Sequence, residues 1–196
     1  PLGVKGVTNP LAANGAGDRE QLEEARRNAP LTVLTLGRIV SLQDYEDFAR
    51  TFSGIDKAFA TWTWFGEKRG VFVTVAGPSG AEVTESSPLY KNLVGAMGSS
   101  GNPLVPLQVK SYQPGLFRVT ASLKIDPAYI PEKVLAGAEQ QLRNEFSFAN
   151  RSFGQPVHLS ELFAVLQQVT GVTAVNITAL YRSNEPATLN QHIAAA

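Results

Sequence analysis

The chain is expected to be an α+β protein, built as two small sheet-plus-helix sandwich modules with an extended connector and a short helix ahead of them. Three observations predict this. The first is a stretch used twice: Val40 to Ile55 lies without a gap over Val157 to Val172. Tyr45, Phe48, Ala49 and Phe52, like Leu162, Val165, Leu166 and Val169, recur at the i, i+3, i+4, i+7 spacing of a helix with one apolar face. Asp44 and Glu161 hold the same acidic place near each helix start. The second is that each helix runs into Ser-Gly or Thr-Gly and then a β-branched residue, a helix-Gly-strand unit in which Gly54 and Gly171 are expected at a left-handed C′ position. The third is the order of the remaining patterns, helix, strand, strand, helix, strand, then strand, helix, helix, strand, which packs most simply as sheets backed by helices on one face.

Taken in order, residues 1–17 are rich in Gly, Ala, Asn and Pro and read as a connector, with turn signals at Asn9-Pro10 and Asn14-Gly15. Asp18 caps a short polar helix whose acids (Glu20, Glu23, Glu24) precede its bases (Arg26, Arg27), the order a helix dipole favours, before Pro30 ends it. Connector and short helix span 1–30, the first module 31–113, the second 114–183 and a tail 184–196.

Within the first module, Ser41 and Asp44 have capping-box spacing for the first repeated helix. Ile55 to Phe65 reads as a strand, with Ala58, Ala60, Trp62 and Trp64 on one face. Gly66 to Gly70 is the expected hairpin loop and Val71 to Val75 the return strand. Ser87-Pro88 is an N-cap followed by Pro at N1, opening a helix that carries Leu89, Leu93 and Met97. Pro103 and Pro106 give the strand Leu104 to Tyr112 either an edge position or an irregular start.

In the second module Phe117, Val119, Ala121, Leu123 and Ile125 alternate with Arg118, Thr120, Ser122 and Lys124, a half-buried strand. Pro127 and Pro131 bracket the start of a helix with Val134, Leu135, Ala138, Leu142 and Phe146 on its apolar side. The second repeated helix follows, then a strand from Val172 to Leu180. Asn184, Pro186 and the terminal Ala run mark the rest as a tail.

The 17 basic residues balance the 17 acidic ones, so nothing in the net charge points to nucleic acid or to an anionic membrane. There is no cysteine, which removes disulfides, thiolate metal sites and cysteine nucleophiles together. No apolar run approaches the ~18 residues of a membrane span, and cytoplasmic synthesis is the default. The chain opens on Pro1 rather than Met, and a fragment of a longer polypeptide is expected.

Catalytic chemistry finds little support. The histidines are His158 and His192. With His192 in the expected tail they form no metal shell, and His158, in the slot of Ser41, reads as a surface or capping residue. Asp44, Glu46 and Asp47 crowd one helix turn as paired carboxylates would, but a helix N-terminus attracts acids by its dipole alone. Gly77-Pro78-Ser79-Gly80 and Gly98-Ser99-Ser100-Gly101 lack the spacing of a phosphate cradle. Catalytic, cofactor-binding and metal residues are therefore expected to be none, and cofactors none. Trp62 and Trp64 remain, either as an exposed recognition ridge or as core cover.

Asn9-Pro10 with its Gly/Ala-rich turn, then Glu20 to Pro30, then Val40 to Ala58 containing Asp44-Tyr45-Glu46-Asp47-Phe48-Ala49, resembles the baseplate J-like family. The likeness covers 3–76 most closely and extends to Tyr181. Its members are wedge components of contractile phage tails and of bacterial contractile injection systems, longer than this chain and with a further portion ahead of the Asn-Pro connector. The resemblance implies a structural subunit with no catalysis, partnered by other wedge subunits and by copies of itself in a ring, assembled in the cytoplasm and ending in a baseplate, with no nucleic-acid partner and no membrane insertion. Asn9, Pro10, Glu23, Arg26, Arg27, Asp44 and Tyr45 map onto its motif as structural or contact residues. Two other readings stand beside it: a small-ligand-binding regulatory module with a site between the two repeats, and an enzyme fragment whose catalytic groups lie elsewhere in a longer chain.

Overall fold

The computed structural model describes residues 38–195. The expected connector and short helix, with Asn9, Pro10, Glu23, Arg26 and Arg27, lie outside the described residues. The chain divides between Tyr112 and Gln113 into two compact units, each α+β.

In the first unit, α1 (Leu42–Thr51) leads into the antiparallel hairpin of β1 (Lys57–Phe65) and β2 (Lys68–Ala76). A single 3-10 turn (Pro78–Gly80) and α2 (Pro88–Ser100) then bring β3 (Leu107–Ser111) back parallel to β2. The sheet order β1-β2-β3 leaves β2 central. It therefore carries the most complete core face: Val71, Val73 and Val75 are fully buried, with Ala60 opposite Val73 and Val109 beside it. Tyr45 and Ala49 of α1 and Leu93 and Met97 of α2 close over that face, joined by Ile39, Ile55 and Val83. Phe48 and Phe52, the rest of the expected stripe, pack at its margin with ring centroids 5.9 Å apart.

Two details differ from expectation. The hairpin loop is shorter than Gly66 to Gly70: β2 begins at Lys68, and Gly66 (φ 64) lets two residues make the turn. Gly70 belongs instead to the strand, where a Cβ would lie 2.4 Å from the Pro106 carbonyl oxygen. Its bare backbone lets the segment before β3 approach closely enough for Val71 N–H to donate to that oxygen at 2.8 Å. The prolines do leave β3 at the sheet edge, and regular pairing starts only after Pro106.

In the second unit, β4 (Phe117–Ile125) pairs antiparallel with β6 (Val172–Arg182), and α3 (Pro131–Glu145) and α4 (Leu159–Gln167) supply the helical layer. Leu162, Leu166, Ile177 and Leu180 form the buried centre with Ala138 of α3. Leu135, expected on the apolar side of α3, is 51% exposed.

Of residues 184–196, expected to trail as a tail, the described ones, 184–195, are stitched back. Leu189 bridges Leu180, Asn190 N–H donates to the Leu180 carbonyl at 3.1 Å, and β7 (His192–Ile193) pairs with β5 (Val157–His158). Ile193, 9% exposed, enters the core cluster. One buried apolar residue in a polar segment is too weak a pattern to announce a strand.

Candidate assembly surface

Strand alternation sets the surface that carries Trp62 and Trp64. On β1 the even positions face the core, and Ala60 is buried there. Trp62 and Trp64 continue the same register outward, opposite Val71 and Arg69, and emerge 40% and 70% exposed. Both rings are thus exposed and do not serve as core cover. Sequence reasoning missed a third member. The Arg69 guanidinium lies 4.9 Å from the centre of the Trp62 ring, a diagonal cross-strand neighbour close enough for cation–π attraction. The signal was available in the spacing, but only once the turn was known to start β2 at Lys68.

The three carboxylates that crowd α1 are engaged one at a time. Asp44 accepts from Val40 N–H at 2.9 Å and from Ser41 N–H at 2.8 Å, while Ser41 Oγ accepts from Asp44 N–H, closing the capping box. These backbone donors, Ser41 first and Val40 second, hold the Asp44 carboxyl below its ordinary value of 3.8. Glu46 reaches across to accept from Ala60 N–H at 2.9 Å. That occupies an amide of the outer strand β1, and an occupied edge amide cannot pair with a foreign strand. Asp47, 5% exposed, is held by Arg50 and by Gln43 Nε2. Neighbours in sequence, the three acids serve a cap, a strand edge and a half-buried ion pair.

Elsewhere in the unit Tyr45 buries its ring, which raises the pKa of its phenol, and Ser87 Oγ accepts from Tyr90 N–H at 3.1 Å as the expected N-cap of α2. On α4, Glu161 accepts from His158 N–H at 3.3 Å and from Arg151 at 3.2 Å. Leu162 is fully buried and Val165 nearly so. His158 is exposed, and the structure lays it beside His192 with ring centroids 6.0 Å apart. Among the described residues no group of three or more His, Cys, Asp or Glu is placed to hold a metal, and no helix is long and apolar enough to cross a membrane.

Gly54 and Gly171 both have φ 93. Neither is the C′ residue. Each is the third residue of a turn closed by a backbone bond, Ile55 N–H to the Phe52 carbonyl (3.0 Å) and Val172 N–H to the Val169 carbonyl (3.1 Å), the position where a type II turn demands glycine.

Comparison with known proteins adds two findings. Residues 37–110 match a family model described as Baseplate J-like central domain. The cryo-EM structure of the anti-feeding prophage (AFP) baseplate, 6-fold symmetrised, is similar at a TM-score of 0.54 with 15% identity, over 91% of this chain and 42% of that chain. That likeness is one of fold, and this chain spans less than half the length of the one it matches. No curated protein sequence matches. The matched span takes in α1, β1, β2, the 3-10 turn, α2 and β3 as far as Lys110, so it is this part of the chain that is similar to a Baseplate J-like central domain.

Proposed function

We propose that this chain is a structural component of the baseplate of a contractile phage tail or phage-tail-like injection system. It serves there as a wedge or assembly subunit, through protein contacts rather than catalysis. The observation that carries the reading is the baseplate J-like match over 37–110, and the AFP baseplate likeness supports it at the level of fold. The partners are other wedge subunits and further copies of the chain in a ring, and assembly takes place in the cytoplasm.

The contact surface is Trp62, Trp64 and Arg69. Large aromatic rings and a guanidinium are the groups that contribute most when an interface closes over them, and here they protrude from a strand braced by its hairpin partner. Light scattering across a concentration series, with the chain alone and mixed with the neighbouring wedge subunit, tests the reading. A heteromeric or higher-order species, weakened by Trp62→Ala or Trp64→Ala, is the expected result. A monomer indifferent to both concentration and neighbour overturns it.

A further inference from the structure

We infer that His158 and His192 form a bidentate site for a borderline divalent transition ion, Zn²⁺, Ni²⁺ or Cu²⁺, which clamps the C-terminal strand onto the second unit. They are the two histidines of the whole chain. They lie 34 residues apart in sequence, yet face each other as Cα partners in the β5–β7 ribbon. Their ring centroids are 6.0 Å apart and the ring planes meet at 36°.

The ribbon's hydrogen bonding says why this pair can close on an ion. Leu159 N–H donates to the Gln191 carbonyl at 2.9 Å, which makes the next pair along, His158 with His192, a non-hydrogen-bonded one. In an antiparallel ladder such pairs hold their side chains closest together. Both imidazoles are exposed, so no apolar contact is lost when they swing toward a shared ion. Val157 and Ile193, the adjacent pair, take the opposite face and pack with the core. Neutral imidazole nitrogens suit Zn²⁺, Ni²⁺ and Cu²⁺ and do not suit Mg²⁺ or Ca²⁺, which demand oxygen ligands. Two protein ligands leave the remaining positions to solvent, or to a donor from another molecule.

The consequence falls on residues 188–195. They are held by a two-residue ribbon, the Leu180–Leu189 bridge, Arg182 donating to the Ala194 carbonyl at 2.6 Å, and one buried side chain, Ile193. An ion bound only when the ribbon is formed stabilises that docking by mass action.

The test titrates Zn²⁺, and separately Mg²⁺, into the intact chain after chelator treatment, following histidine ring NMR signals and amide exchange at Leu159 and Asn190. Zn²⁺ is expected to shift both histidine ring signals together and to slow exchange at both amides at least several-fold, with Mg²⁺ without effect. His192→Ala and His158→Gln, both at exposed positions, are expected to melt like the parent chain in chelator and to lose the Zn²⁺ response. An unchanged Zn²⁺ response in either variant, or no response in the parent chain, overturns the site.

Discussion

The two helix-Gly-strand stretches start alike and finish differently. In both, an acid one turn into the helix accepts the N-cap amide, Asp44 from Ser41 and Glu161 from His158. In both, a glycine at φ 93 turns the chain into a strand. The strands then part company: β1 pairs with β2, which follows it, and β6 pairs with β4, which precedes it. Surroundings differ as well. A Cβ at Gly54 would meet the flexible end of Leu89 at 3.0 Å, whereas at Gly171 it would meet the Tyr129 ring at 2.9 Å and Val134 at 3.0 Å. Local sequence thus supports the helix, the cap and the turn, while the partner of the emerging strand depends on which chain segment covers its edge. Common origin of the two stretches is a proposal that these shared turns motivate.

The largest expected effect probes aligned positions of unequal size. Ala49 and Leu166 hold the same place in the two helices, and both are buried. Leu166→Ala opens a cavity and is expected to cost about 2–5 kcal/mol. The reciprocal Ala49→Leu overpacks against the β-sheet face and should cost about 1–3 kcal/mol. Denaturant unfolding of both variants measures the asymmetry; a neutral Ala49→Leu would show that the first unit has room the structure does not give it.

Next come the glycines. Forcing a side chain into a positive-φ turn costs about 1–2 kcal/mol, which is the expectation for Gly54→Ala because Leu89 can move aside. Gly171→Ala should exceed it, at about 2–4 kcal/mol, because an aromatic ring and a β-branched residue stand in the way. Thermal melts of equal depth for the two would sink the distinction.

A smaller effect separates the caps. Asp44→Asn keeps the shape and loses the charge that accepts two amides, for about 1 kcal/mol. The folded-state pKa of Asp44 is depressed, so its contribution is present above the unfolded value of ~3.9 and is lost as pH falls through the lower folded value. Parent and variant should therefore differ at pH 7 and converge as the pH falls below the depressed folded-state value. A constant difference across that range would place the effect outside the carboxylate.

The smallest is Trp64→Ala. At 70% exposed, the ring contributes little to folding, and less than about 0.5 kcal/mol should be lost. Its effect should appear in association with a partner, and a large loss of melting temperature would return Trp64 to the core.

Much of the architecture was legible. Ser41, Ser87 and Pro88 marked helix starts because caps act within one turn. The Phe117 to Ile125 alternation marked β4 because a half-buried strand imposes a period of two, and Pro103 and Pro106 marked the irregular lead-in to β3, an edge strand whose pairing starts only at Leu107. Trp62 and Trp64 were legible as candidates. Their exposure was not, since Ala60 two residues earlier shares the face and is buried, and only the extent of the helical cover separates them. The resemblance carried by Val40 to Ala58 pointed to the same family whose central-domain model matches residues 37–110.

What the sequence determined by itself was therefore the set of interactions that close within a few residues: the apolar stripes, the caps, the glycine turns and the strand periodicity. Tertiary structure alone decided the rest. It placed Arg69 on Trp62, sent Glu46 to the amide of Ala60, drew Ile193 into the core and set His158 against His192. Each of these joins groups far apart along the chain or depends on register across strands, and one residue of register reverses a side chain's face.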